Sequence, residues 1–125
     1  MKYLCLVYHT ETALAAMPPA EMQGLVDAHL DYDEVLSRSG HFILGQALQS
    51  TETAVTVRVR NGKLSVTDGP FAETKEQLAG IILIEAKDLD DALQVAAKIP
   101  SARLGAIEVR PVWELAHSGR DHAGA

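Results

Sequence analysis

Two short stretches of this chain are almost uniformly apolar, KYLCLVY at residues 2–8 and AGIILIEA at residues 79–86. Neither has the three- and four-residue spacing of an amphipathic helix or the strict alternation of a half-exposed strand. A strand that is apolar on both sides belongs in the interior of a sheet whose two faces are covered. The pattern therefore predicts a sheet in which these two segments are the central strands.

Two other segments have helical periodicity. Apolar side chains recur at three- and four-residue steps over residues 19–39, after a pair of prolines and before Gly40, which suits the start and the end of a helix. The second segment, residues 88–99, begins at Asp88, a residue type that caps helix N-termini, and stops before Pro100. Each helix would place one apolar stripe against the sheet.

A β-hairpin is the clearest local signal. In TAVTVRVRNGKLSVT, valines alternate with polar residues up to Asn61-Gly62, the preferred pair for a type I′ turn. This turn places Val57 opposite Val66, and the hairpin then has one apolar and one polar face. The remaining strands are predicted at residues 41–48 and 106–112.

The order of these elements predicts an α+β fold, a ferredoxin-like βαβ-hairpin-βαβ sheet with two helices on one face. Two helices leave the other face uncovered, so we expect a homodimer that packs sheet to sheet. One domain, residues 1–115, accounts for all of these elements. Residues 116–125 have nothing to bury and are predicted to be a disordered tail.

Charge and cysteine usage exclude several classes of function. The chain has 11 Lys and Arg against 17 Asp and Glu, a net charge of −6, which argues against direct binding of nucleic acid or an anionic membrane. Cys5 is the only cysteine, and there is no HxH or HxxxH pattern, so neither a metal nor another cofactor is indicated. Because the N-terminus has no signal-peptide cleavage site, we expect a cytoplasmic protein.

The first helix has a candidate acid–base pair. His29 and Asp33 lie in the apolar stripe four residues apart, so their side chains can meet on one face. A carboxylate bonded to one ring nitrogen orients the other for proton transfer, as a general base requires. The alternative is an ionic pair at the rim of the helix–sheet layer with no catalytic role.

The loop between the hairpin and the second apolar strand is the other candidate. Asp68, followed by Gly and Pro, is strong turn chemistry, and Phe71 needs an apolar pocket or a partner. Loops of about a dozen residues are uncommon as mere connectors. The alternative is a solvated loop whose charges maintain solubility. The charged residues that would hold a polar ligand, or pair with one another, are Glu73, Lys75 and Glu76.

The segment DGPFAETKEQLAG at residues 68–80 resembles the signature of the YCII-related proteins of the DGPF type. The similarity runs from MKYLCLVYH at the N-terminus to IPSARLGAIEVRPV near the C-terminus, and so covers nearly the whole chain. The resemblance implies a ferredoxin-like α+β barrel formed by dimerisation, in agreement with the topology predicted above.

The resemblance also implies a site. In YCII proteins a histidine and an aspartate lining a cleft are a proposed acid–base pair, and the histidine stands eleven residues before a glycine that ends its helix. His29 precedes Gly40 by the same spacing. The acidic residue that YCII proteins have close before this glycine is absent here, so Asp33 or Asp68 is the candidate for its role.

Two functions are consistent with these observations. The first is binding of a small polar molecule, with or without catalysis, in a cleft between the first helix and the 68–80 loop. His29 would be the base, oriented by Asp33 or Asp68. The second is a non-catalytic regulatory module. Because proteins of the DGPF type are often encoded beside, or fused to, extracytoplasmic-function sigma factors, a sigma factor would be its partner.

Overall fold

In the computed structural model, residues 1–119 are described, and they form an α+β fold with a four-stranded antiparallel sheet and a separate two-stranded hairpin. Within this range, no helix is both long and apolar enough to cross a membrane. Most of the predicted tail, residues 120–125, lies outside the described residues. The elements are β1 (Lys2–Thr10), α1 (Glu11–Ala15), α2 (Pro19–Arg38), β2 (Phe42–Ala47), β3 (Val55–Arg60), β4 (Lys63–Asp68), β5 (Glu76–Glu85), α3 (Leu89–Ala97) and β6 (Ala106–Pro111).

The four-stranded sheet has the order β2-β5-β1-β6. The two uniformly apolar strands, β1 and β5, are central, as predicted, and each strand pairs antiparallel with its neighbours. Because β1 and β2 both run antiparallel to β5, they run parallel to each other. His9, near the end of β1, and His41, just before β2, therefore lie at opposite ends of the sheet.

The core lies between the helices and one face of the sheet. Along β1 every second side chain is buried, from Tyr3 to His9, and the intervening side chains are only half-buried. Burial raises the pKa of the Cys5 thiol to about 11, so this thiol stays protonated and unreactive at neutral pH. The helices and the adjoining segments contribute Leu36, Ala86, Ala92, Val95, Ala96 and Ile99 to the core.

The hairpin of β3 and β4 has the predicted register, with Val57 opposite Val66. Asn61 and Gly62 have positive φ angles of 52° and 74°, as a type I′ turn requires. The hairpin forms its own two-stranded sheet, and the valines and leucine of its apolar face are 56–68% exposed. Its apolar face is therefore not covered by the described part of the chain.

Three elements were not predicted from the sequence: α1, a 3₁₀ turn at Thr51–Thr53, and a second 3₁₀ turn at Pro100–Arg103 that follows α3. Gly105 allows this turn to approach β1, because a Cβ atom at Gly105 would collide with the carbonyl oxygen of Tyr8. The close approach brings Ser101 of the turn beside His9 of β1.

Candidate functional site

Three elements meet at one buried serine hydroxyl. The Oγ atom of Ser101 lies 2.8 Å from Nε2 of His9 and 2.6 Å from Nε2 of His29. His9 lies on the helix-facing side of β1, and its side chain is 5% exposed, while Ser101 is 1% exposed. His29 lies on α2 and is half-buried.

The two imidazoles differ in tautomer. The serine hydroxyl has one hydrogen to donate, so it donates to Nε2 of one histidine and accepts the Nε2 hydrogen of the other. Burial lowers the pKa of His9, with a smaller opposing effect from the charge of Glu76. Burial also lowers the pKa of His29, and the neighbouring His9 lowers it further. Both rings are therefore neutral at pH 7.

Each ring keeps one nitrogen for an outside partner. Within residues 1–119, Nδ1 of His9 and Nδ1 of His29 have no hydrogen-bond partner. In the same range, no buried side-chain nitrogen or oxygen lacks a partner, so neither Nδ1 atom is fully enclosed by the protein. A hydrogen-bonded chain therefore joins two accessible nitrogens through Ser101. We call His9, Ser101 and His29 the His–Ser–His cluster.

A small cavity of about 30 Å³ borders His9 on the helix side of the sheet. This volume corresponds to about one water molecule. Three leucines and an alanine form its apolar wall. Its polar wall consists of His9, Glu11, Gln49, Ser50 and Gln77.

A larger groove lies beside the same end of β1, but no member of the His–Ser–His cluster lines it. Because side chains alternate along β1, Tyr8 and Thr10 point into this groove, while His9 between them borders the small cavity. The open groove measures about 820 Å³. Its polar lining consists of Tyr8, Thr10, Thr74, Lys75, Glu76 and Glu108.

Asp33 does not orient His29 as the spacing on α2 predicts. No hydrogen bond joins the two side chains in the described part of the chain, and Ser101 holds the His29 ring instead. The Asp33 carboxylate lies against β2, where a Cβ atom at Gly45 would be 3.6 Å from its Oδ2 atom. Burial raises the pKa of the Asp33 carboxyl group.

Asp68 and Phe71 are not brought to the His–Ser–His cluster by any contact among residues 1–119. Asp68 ends β4 opposite Val55, and its side chain is exposed and accepts no hydrogen bond in this range. Phe71 is 79% exposed, with the Arg58 guanidinium 5.8 Å from its ring centroid. Of the two expectations for Phe71, an apolar pocket or a partner, residues 1–119 do not provide the pocket, and the partner stays a prediction.

The three charged loop residues, Glu73, Lys75 and Glu76, are all exposed. No ion pair among residues 1–119 includes any of them. Lys75 and Glu76 line the larger groove, and their role in holding a polar ligand stays a prediction. No group of three or more His, Cys, Asp or Glu side chains in the described range is arranged to hold a metal ion.

Two members of the cluster, His9 and Ser101, were not predicted from the sequence. His9 continues the alternation of Tyr3, Cys5 and Val7 along β1, so its inward direction was available from the sequence. Ser101 had no such signal, because its role depends on contacts with residues 92 and 72 positions away.

Comparison with known proteins identifies relatives over nearly the whole length. Residues 1–116 match the YCII-related domain family. A protein of Rhizobium meliloti (strain 1021), described as uncharacterised, is 35% identical over 114 residues. The matched region covers 90% of this chain and 92% of that relative.

Proposed function

Since this chain belongs to the YCII-related domain family, whose matched relative is uncharacterised, we propose a function from the His–Ser–His cluster. The protein binds a small polar molecule beside this cluster and transfers protons to and from it. One observation carries the proposal: the Ser101 hydroxyl lies within hydrogen-bonding distance of the Nε2 atoms of both His9 and His29. General acid–base catalysis requires such groups within hydrogen-bond reach of one another and of a substrate.

The proposed proton path uses the arrangement in which His9 carries its hydrogen on Nε2 and His29 carries its hydrogen on Nδ1. A proton taken up from the substrate by Nδ1 of His9 is matched by transfer of the His9 Nε2 proton to Ser101 Oγ. The hydroxyl proton of Ser101 moves to Nε2 of His29, which then releases its Nδ1 proton. Each group gains one proton and loses one, and Ser101 remains a neutral hydroxyl. The reverse sequence returns a proton to the substrate.

Asp33 has a different role in this proposal from the orienting role suggested by spacing. Ser101 occupies the ring nitrogen that points into the protein, while Asp33 lies one helical turn from His29. A carboxylate at this spacing stabilises the positive charge that His29 holds during transfer. That Asp68 orients His29 and that Glu73, Lys75 and Glu76 hold a polar ligand or line the entrance stay predictions; Lys75 and Glu76 line the larger groove, which no member of the cluster borders.

The test is exchange of carbon-bound hydrogen with solvent deuterium, which can be followed for any bound ligand that has an acidic C–H group. Ligands are selected from a metabolite library by thermal shift and then incubated with the protein in D₂O. We expect deuterium incorporation into a bound ligand, detected by NMR or mass spectrometry. Ser101→Ala and His29→Gln should reduce the exchange rate by at least about a hundredfold, the typical contribution of general acid–base catalysis.

Asp31→Asn is the matched control, because Asp31 lies on the exposed side of the same helix. Its exchange rate should equal that of the wild type. Exchange that persists unchanged in Ser101→Ala would show that the cluster has no part in proton transfer. Each variant is checked by circular dichroism so that loss of folding is not read as loss of activity.

We also propose that the protein is a homodimer of the ferredoxin-like, dimeric α+β barrel type, a cytoplasmic member of the DGPF group. The exposed apolar face of the hairpin supports this, with Val57, Leu64 and Val66 each at least 60% exposed. An isolated two-stranded hairpin is marginally stable, so a second chain covering this face would stabilise it. A sigma factor as an alternative occupant stays a prediction.

Light scattering coupled to size exclusion tests the dimer. The wild type should have twice the mass of one chain, and Val57→Lys should shift the mass toward that of one chain. Ser65→Lys, on the polar face of the same hairpin, should leave the mass unchanged. A wild type that elutes as a single chain at high concentration would contradict the proposal.

A further inference from the structure

We infer that the cavity beside His9 binds a hydrogen-bond donor group of its ligand, preferentially a primary ammonium group, and excludes carboxylates and phosphates. The inference rests on the proposed function, because it concerns the ligand of the same cluster. It is supported by an unpartnered nitrogen, by the acceptor character of the cavity wall, and by the charge and size of the cavity.

The unpartnered nitrogen is Nδ1 of His9. The His9 side chain is 95% buried, and its other nitrogen is occupied by Ser101. His9 lines the cavity, and its Nδ1 atom has no hydrogen-bond partner among residues 1–119. In the tautomer that carries the hydrogen on Nε2, as the proposed proton path requires, Nδ1 is an acceptor. A buried imidazole with one free nitrogen at a cavity wall is satisfied only by a water molecule or a ligand.

Two other polar groups of the wall, Glu11 and Gln77, offer acceptors, while the Gln49 amide and the Ser50 hydroxyl can both donate and accept. Glu11 accepts the backbone N–H of Thr51 through Oε1 at 2.7 Å and also accepts from the side chains of Thr51 and Ser50. Since an ionised carboxylate has about four acceptor sites, it can still accept from a ligand. Gln77 donates from its amide nitrogen to the carbonyl oxygens of Ala72 and Thr74, at 3.0 and 2.9 Å. Both amide hydrogens of Gln77 are thereby used, and its side-chain oxygen remains as an acceptor. A ligand group that donates hydrogen bonds therefore meets acceptors on both Glu11 and Gln77.

Charge favours a cation over an anion. The Thr51 hydrogen bonds, from its side chain and its backbone, keep the pKa of Glu11 below its usual range, so this carboxylate is ionised at neutral pH. Neither lysine nor arginine lines the cavity in the described chain. An anion would meet the Glu11 carboxylate without a compensating positive charge, whereas an ammonium group would neutralise it.

Size limits what enters. A cavity of about 30 Å³ holds one group of the size of a water molecule. An ammonium group has this size and three hydrogens to donate, which matches Glu11, Gln77 and His9 Nδ1. The rest of the ligand would remain outside the cavity, so recognition is of a head group.

The test uses NMR of the histidine ring nitrogens in the intact chain at neutral pH. Methylammonium chloride is titrated against sodium acetate and sodium chloride at equal ionic strength. We expect a saturable shift of the His9 Nδ1 resonance with methylammonium and only the common salt effect with the other two. An equal or larger shift with acetate, or the absence of a saturable shift with methylammonium, would overturn the inference.

Two variants with the same change of charge sharpen the test. Glu11→Gln keeps an acceptor for Thr51 but removes the charge, and should weaken methylammonium binding by about tenfold, since hydrogen bonds to ionised groups are roughly twice as strong as neutral ones. Glu52→Gln, on the exposed 3₁₀ turn nearby, should leave the affinity unchanged. Equal weakening in both variants would also contradict the inference.

The two proposals fail in different ways. If acetate binds beside His9, the ammonium preference is wrong while proton exchange through the His–Ser–His cluster stands. If Ser101→Ala leaves deuterium exchange unchanged, proton transfer is wrong while the methylammonium shift is unaffected.

Discussion

Histidine and serine side chains meet at both ends of the sheet, with different consequences. At one end, Ser101 contacts His9 and His29, and each ring keeps a free Nδ1. At the other end, Ser39 Oγ lies 2.7 Å from Nδ1 of His41, and the Nε2 atom of His41 is 3.1 Å from both carboxylate oxygens of Asp91.

The second cluster resembles a catalytic serine–histidine–aspartate set in composition alone. Both ring nitrogens of His41 are occupied within the protein, and Asp91 also accepts the backbone N–H of Lys87 at 3.0 Å. Ser39 donates to the Leu36 carbonyl oxygen at the end of α2. This cluster therefore joins the end of α2 to the start of α3, and no nitrogen of the His41 ring is left for a ligand.

The two clusters differ in their unused hydrogen-bonding capacity rather than in residue type. A partly buried polar group with a free donor or acceptor needs a partner, and at a cavity wall a ligand can be that partner. Changes at one end of the sheet can therefore be measured with the other end as the reference.

The largest effect is expected from Gly105→Ala. Its Cβ atom would collide with the carbonyl oxygen of Tyr8, which forces the 3₁₀ turn away from β1 and separates Ser101 from His9. We expect the free energy of unfolding to fall by about 2–4 kcal/mol in urea denaturation. Gly24→Ala is the control, because a Cβ atom there meets nothing within 4 Å, and helix propensity favours alanine. An equal stability for both variants would show that the turn does not need its close approach.

A smaller loss of stability is expected when Ser101 is replaced, and a still smaller loss when Ser39 is replaced. Ser101→Ala leaves the buried His9 imidazole and the half-buried His29 imidazole without their Nε2 partner and should cost about 1–3 kcal/mol of unfolding free energy. Ser39→Ala, at the exposed end of α2, should cost less than about 1 kcal/mol. Both variants are measured by urea denaturation at neutral pH. Equal losses of unfolding free energy would show that the two serines do not differ in their contribution to stability.

The third prediction concerns how the free energy of unfolding depends on pH near neutrality, where the two histidines of the His–Ser–His cluster titrate. Burial lowers the pKa of His9 and His29 below the ordinary value of 6.5 in the folded state, so below pH 6.5 the unfolded chain binds more protons. The free energy of unfolding should therefore decrease as the pH falls through 6.5 toward the folded pKa values. Ring NMR titration of His9 and His29 should give midpoints below 6.5. Midpoints at or above 6.5 would contradict the lowered pKa of both histidines.

The smallest effect on stability is expected at the other end of the sheet, where Asp91 contacts His41. The Lys87 backbone hydrogen bond, followed by the His41 contact, lowers the pKa of the Asp91 carboxyl group below 3.8 in the folded state. Its contribution to stability is therefore present above pH 3.8 and is lost as the pH falls through the folded pKa. Asp91→Asn should flatten the pH dependence in that acidic range and leave the region near pH 6.5 unchanged. If Asp91→Asn also changed the pH dependence of stability near pH 6.5, the two ends of the sheet would not be independent.

Much of the architecture was readable from the sequence, because its signals are local. Uniformly apolar segments predicted the central strands, periodicity predicted α2 and α3, and Asn61-Gly62 predicted the hairpin register. Asp88 caps α3, with its side chain accepting the Asp91 backbone N–H, as its residue type indicated. For the candidate site, the sequence identified His29 on the inner stripe of α2 but assigned it a partner from the same helix.

The cluster itself was decided by the tertiary structure. Ser101 is 92 residues from His9 and 72 from His29, so no periodicity or local spacing relates them. The contact of Ser101 with both histidines depends on the strand order of the sheet, which positions the end of β1 that carries His9. It also depends on Gly105, which lets the 3₁₀ turn at Pro100–Arg103 approach β1. Local patterns determine which side chains face inward, whereas long-range packing determines which inward side chains touch and which nitrogen remains free.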